Sequence, residues 1–236
     1  MEKISLEQAL PLVSWQNSLN CLVDPHWTQA HYPYLRGVVV ETAEAMDHYG
    51  WKWWTPQTPD MLQFQYELMD ILSFFLSHLI SESQGDLSLS ARALVGQSDP
   101  ALKHYVFNKQ AMDLRACDVL PLLEWFTGLA IFGVIALPLL ERIMCLSGLG
   151  DWDAVLSRYR QKYELHVFRQ LNGYSLGRYR KDWDGKEDSL YLAELCQCTA
   201  NGRAHQDTHL YQTLKNMYSR FTCRSNAKAE NHDADD

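Results

Sequence analysis

An all-α helical bundle is the fold this sequence predicts, on three observations. Apolar residues recur at i, i+3 and i+4 through most of the chain, whereas alternating apolar and polar runs do not recur. Gly, Pro and Asn-Gly breakers separate the periodic segments, and no internal repeat stands out. With 236 residues and 47% hydrophobic content, the chain can bury one sizeable core. The expected organisation is a single domain over 1–222, with 82–150 as a smaller mobile lobe or an interface region. Residues 223–236 read as a disordered acidic tail, because KAENHDADD offers no apolar face.

The elements follow in order. Ile4 to Leu22 reads as a first helix, bent near Pro11, and Pro33 to His48 as a second. Gly50 to Pro59 is a loop broken by Pro56 and Pro59. Asp60 is placed to cap a third helix that runs to about Ser81. Residues 82–100 are polar, with two glycines, and read as a loop holding a short helix. Residues 101–145 read as helical and very apolar toward their end. Asp151 begins an amphipathic helix through Trp152, Val155, Leu156, Tyr159, Tyr163 and Val167, ending near Asn172-Gly173. SLGRYRKDWDGKED is then a basic and aromatic loop. Leu190 to Cys198 and Leu210 to Phe221 read as closing helices.

Composition excludes several classes. A net charge of −8 argues against broad nucleic-acid binding. The six cysteines form no CxxC pair, and Cys196-x-Cys198 is a poor zinc spacing without nearby partners. The nine histidines show no HxH or HExxH arrangement, which excludes a zinc enzyme of that type. MEKISLEQAL lacks the basic and apolar regions of a signal peptide, and a reducing cytoplasm is expected. WFTGLAIFGVIALPLL, residues 125–140, is nearly free of charge. It falls short of the roughly 20 residues of a membrane span, lies between Glu124 and Glu141, and contains Pro138. A buried helix is expected there, with no membrane partner.

Two acidic pairs carry the chemistry: Glu41 with Glu44, and Glu67 with Asp70. Residues three apart share a helix face, so two antiparallel helices could bring four carboxylates together. Such pairs are common on solvated faces. Here Val38, Val39 and Val40 run into the first pair, and Leu68, Met69, Ile71 and Leu72 surround the second. Acids in apolar helices need compensation. A hard divalent cation such as Mg²⁺ supplies it, and phosphate oxygens can complete its shell.

ETAE at 41–44, WKWW at 51–54, ELMD at 67–70, WQNSLN at 15–20 and the long stretch KYELHVFRQLNGYSLGRYRKDWDGKEDS from Lys162 to Ser189 together carry a resemblance. The chain resembles the dimeric all-α dUTP pyrophosphatases, relatives of the MazG-type nucleotide pyrophosphohydrolases, over roughly residues 12–192. The resemblance implies a dimer that cleaves dUTP to dUMP and pyrophosphate, accepts dUDP, and uses Mg²⁺ with Mn²⁺ as an alternative. It implies Glu41, Glu44, Glu67 and Asp70 as the catalytic metal cage, with Glu41 also activating the attacking water. It places Lys162, Arg169, Tyr174 and Lys181 at the phosphates. The residues agree: Lys162 and Arg169 are two helical turns apart on one face, and an arginine fork grips phosphate. The alternative, cations complementing a helix end, needs no ligand.

Gln16 and Asn20, four apart, could read a uracil edge with both donor and acceptor, or be exposed decoration. Trp51, Lys52, Trp53 and Trp54 could stack on base or sugar, with at least one tryptophan expected in the core. His166 stands where the family has Asn, Ser189 replaces another Asn, and Leu72-Ser73 replaces a Trp-His. These departures bear on base recognition rather than phosphate chemistry. They keep a second reading open, a pyrophosphohydrolase for another pyrimidine deoxynucleotide. A third is a non-catalytic nucleotide-binding dimer. The apolar run 125–140 is expected between the two subunits.

Overall fold

The computed structural model describes residues 1–200 and 208–232, with side chains described at 1–196 and 210–223. The helix-period segments become α1 (Leu6–Val23), α2 (Tyr34–Tyr49), α3 (Met61–Glu82), α4 (Leu87–Gln97), α5 (Val119–Ile131), α6 (Leu137–Leu146), α7 (Trp152–Leu171), α8 (Asp188–Ala200) and α9 (Thr208–His232). Local chemistry fixes several starts. Ser5 and Gln8 form a reciprocal capping box at α1, and Asp60 accepts from the Gln63 N–H at α3. Each such cap contributes about 1 kcal/mol. The chain divides into two compact units, Met1–Tyr163 and Glu164–Asp236, the division falling inside α7.

In the first unit α3 is the central element. Phe64, Leu68, Met69, Ile71, Leu72, Leu76 and Ile80 are all fully buried, against α1, α2, α4 and α6. The second unit is built on rings instead. Phe168 touches Tyr179, Trp183, Tyr211 and Tyr218 at centroid distances of 5.6–6.2 Å. Such edge-on pairs add to what ring burial alone contributes.

The structure corrects the sequence reading in four places. Residues 101–145 do not begin as helix: β1 (His104–Phe107) and β2 (Gln110–Asp113) form an antiparallel hairpin. Asn108 and Lys109 both have positive φ, the backbone of a primed two-residue turn. A second small hairpin, β3 (Asp182–Trp183) with β4 (Lys186–Glu187), turns on Asp184-Gly185 inside the stretch read as loop. The apolar run is not one helix. Gly133, at φ 78°, ends α5 with a bond from the Val134 N–H to the Leu129 carbonyl. Ile131 and Phe132 are left 68% and 70% exposed at that break. Glu141, read as the charged border of the run, is buried. It accepts from the Ser98 hydroxyl at 2.5 Å and the Asp99 N–H at 3.1 Å. Among the described residues no helix is long and apolar enough to cross a membrane. The helix α9 runs to His232, and 233–236 lie outside the described residues.

Candidate active site

Three contacts give the register of α2 on α3. Gly37 faces Phe74, Glu41 meets Glu67 and Asp70, and the His48 carbonyl accepts from the Asp60 N–H at 2.9 Å. Rising numbers on one helix meet falling numbers on the other, so the pair is antiparallel. Gly37 allows the close approach: a Cβ there would lie 2.6 Å from the Phe74 ring.

That approach brings three acids together. One carboxylate oxygen from each of Glu41, Glu67 and Asp70 lies within 4.8 Å of the others. Glu67 and Asp70 are 7% and 8% exposed. Glu44 is exposed and lies outside this trio, yet close enough that its charge raises the pKa of both glutamates. Burial is the main cause that lifts Glu41 above the usual carboxylate range, followed by the charges of Asp70 and Glu67. Burial also lifts Glu67, against the opposing pull of Lys162. Lys162 Nζ sits 2.7 Å from Asp70 Oδ2 and 5.5 Å from the Tyr66 ring centroid. His48 Nε2 stands 3.9 Å from Glu67 Oε1. Three ionised carboxylates against one ammonium leave two negative charges, the charge that one divalent cation neutralises.

Gln16 and Asn20 come from α1 to the same face of α3. Tyr159 donates to Gln16 Oε1 at 2.5 Å. Gln16 Nε2 donates to Asn20 Oδ1 at 2.8 Å and to Ser77 Oγ at 2.9 Å, and Asn20 Nδ2 donates to Ser77 Oγ at 2.9 Å. Gln16 is buried and Asn20 half-buried, so neither is surface decoration.

The loop between the acid pairs departs from expectation. None of its tryptophans fills the core: Trp53 is 89% exposed, and Trp51 and Trp54 are also exposed. They meet edge-on, Trp54 lying 5.2 Å from Trp51 and 5.6 Å from Trp53. Asp47 holds the loop through Trp51 Nε1 at 3.1 Å and Lys52 Nζ at 3.4 Å.

In the second unit Arg169 is buried and committed to Asp188. Its Nε and Nη2 donate to the two carboxylate oxygens at 2.9 and 2.6 Å, and Tyr179 donates to the same carboxylate at 2.7 Å. Asp188 is the residue that sequence reasoning missed. It lay unremarked in the KEDS motif, and only a tertiary partner reveals it. Tyr174 and Lys181 are exposed and meet as a cation–ring pair at 5.7 Å. His166 is half-buried on α7, and the Ser189 hydroxyl is buried without a hydrogen-bond partner among the described residues. Of the cations assigned to phosphate, Lys162 and Arg169 thus face carboxylates, and Lys181 faces solvent.

The family described as dUTPase matches residues 9–118. No curated protein matches the chain. The matched span holds Gln16, Asn20, both acid pairs and the tryptophan loop, and its helices are those that build the carboxylate cluster. Over residues 9–118 the chain is similar to the all-α dUTPase family, and that similarity implies dUTP hydrolysis.

Proposed function

We propose that Glu41, Glu67 and Asp70 hold a divalent cation, Mg²⁺ with Mn²⁺ as the alternative, during cleavage of dUTP to dUMP and pyrophosphate. The carrying observation is the convergence of three carboxylates, two of them buried, within 4.8 Å. An all-oxygen, anionic donor set suits a hard cation. When bound, the cation offsets charge on the phosphate oxygens. Glu41 takes the proton of the attacking water as the water oxygen bonds to the α phosphorus and pyrophosphate leaves. Glu44 extends the acidic rim, and Lys162 holds the Asp70 carboxylate in place.

Gln16 and Asn20 form the pyrimidine-reading pair, Asn20 meeting the base edge and Gln16 holding it, and the exposed indoles of the Trp51–Trp54 loop stack on base or sugar. We assign phosphate contact to Tyr174 and Lys181, whose hydroxyl and ammonium reach solvent. The enzyme works in the cytoplasm as a homodimer. Support for the dimer is an apolar surface at Val106, Ile131 and Phe132, with Phe107 packed 5.8 Å from Phe132.

The test is a panel of all deoxynucleoside tri- and diphosphates with Mg²⁺, Mn²⁺ or EDTA, with products resolved by chromatography. Expected are dUMP from dUTP and from dUDP, with pyrophosphate released only from the former, and no turnover in EDTA. Undiminished turnover in EDTA would remove the cation from the reading. Turnover of another pyrimidine nucleotide with dUTP untouched would reassign the base.

A further inference from the structure

We infer that Ser77 and Tyr159 fix which way round the Gln16 and Asn20 amides face, and thereby set a preference for uracil over cytosine. The inference rests on the base-reading role proposed above for those two amides.

Ser77 Oγ donates its one proton to the Ser73 carbonyl at 2.9 Å. A carbonyl can only accept, so toward Gln16 and Asn20 the Ser77 oxygen is an acceptor alone. Both amides must therefore turn an N–H toward it, and both do, at 2.9 Å. At the far side Tyr159 donates to Gln16 Oε1, which requires the carbonyl end of Gln16 to face the phenol. Flipping Gln16 would turn its carbonyl oxygen toward the Ser77 acceptor and its N–H₂ toward the donating phenol. Ser77 is 1% exposed and Tyr159 1%, so water cannot repair either mismatch.

What the network leaves over is specific. Both Gln16 N–H groups are used, one on Asn20 Oδ1 and one on Ser77. Among the described residues Asn20 keeps one N–H on Nδ2 and one lone pair on Oδ1, and being half-buried it keeps a reachable side. An N–H beside an acceptor matches the O4 and N3–H of uracil. Cytosine presents the reverse order, an amino donor at C4 and a bare acceptor at N3, and would need the amide flipped. Ser77 lies seven residues from Asp70 on α3, two turns and about 10 Å away. That is a separation a nucleotide spans between its base and its phosphates.

The experiment compares wild type with Tyr159→Phe and Ser77→Ala. It measures kcat/KM for dUTP and dCTP with Mg²⁺, and calorimetric binding of dUMP and dCMP. The expected result is a fall in the dUTP to dCTP ratio of at least about threefold in each variant, the scale of one displaced neutral hydrogen bond. A purely structural role would lower both substrates together and leave the ratio alone. A ratio that moves less than this overturns the inference. If Ser77→Ala fails to fold, Tyr159→Phe decides by itself. Wild type that binds dUMP no better than dCMP also overturns it. Wild type that binds and hydrolyses neither nucleotide would instead bring down the base-reading role, and this inference with it.

Discussion

Gly37 on α2 lies so close to Phe74 on α3 that an added Cβ would sit 2.6 Å from the ring. Inside a helix, glycine is normally worse than alanine by about 1 kcal/mol. Gly37→Ala should nevertheless destabilise the protein by about 1–3 kcal/mol, because forced overpacking outweighs that gain. Thermal unfolding should report a drop of several degrees, with Phe74→Leu restoring part of it. An increase in melting temperature would contradict the close approach.

Asp70→Asn should cut dUTP hydrolysis by at least about a hundredfold, the scale of a removed electrostatic contribution at a reacting centre. Circular dichroism should show the helices intact. Near wild-type turnover would remove Asp70 from the cation site.

Lys162→Gln tests the other half of that ion pair. Removing one partner of a buried pair typically costs about 3–5 kcal/mol. The metal-free variant should melt well below wild type, and Mg²⁺ should raise its melting temperature more than it raises that of wild type. Equal Mg²⁺ shifts in the two proteins would show that Lys162 does not compensate the cluster.

Metal-free stability should fall as pH rises. Glu41 is pushed up to about 8 and Glu67 to about 7, from an ordinary 4.5. Between those values the folded chain holds more protons than the unfolded one, so each deprotonation costs the native state. In EDTA the loss should run from about pH 4.5 to about pH 8. Glu41→Gln should flatten the slope. Saturating Mg²⁺ should flatten it too, since a bound cation favours the ionised form. Denaturant titrations at a series of pH values read this directly, and a stability that climbs across the window would refute it.

The dimer reading makes a surface prediction. Ile131→Glu with Phe132→Lys places charge on the exposed apolar end of α5. Light scattering should show wild type as a dimer and the double variant shifted toward monomer. Dimers of unchanged strength would place the contact elsewhere.

What the sequence disclosed and what it hid have separate physical causes. The helices carrying the acids were legible to within a residue or two, because long apolar periodicity and the Asp60 cap are local signals. The hairpin at 104–113 was hidden. Its strands are only four residues long, and Asn-Lys is a weaker turn signal than Asn-Gly. Asp184-Gly185 was an available hairpin signal that basic neighbours obscured. Gly133 broke the apolar run because a single positive-φ residue outweighs a continuous hydrophobic pattern. The carboxylate trio was legible from spacing, but Glu44's place outside it was not. Spacing puts residues on a face without saying which of them reaches inward. Lys162 and Arg169 share a helical spacing, yet their partners, Asp70 and Asp188, lie on other elements and leave no local trace.

The Arg169–Asp188 pair bears on inheritance. Both oxygens of a fully enclosed carboxylate are gripped by one planar fork, with the Tyr179 hydroxyl completing the set. Lysine cannot reproduce the fork, and asparagine cannot supply the second negative oxygen. Neither position can drift by single substitutions, since every one-step change strands a charge or a donor. The two codons therefore travel as a unit: lineages of this protein should keep both residues or replace both, and intermediates should be missing.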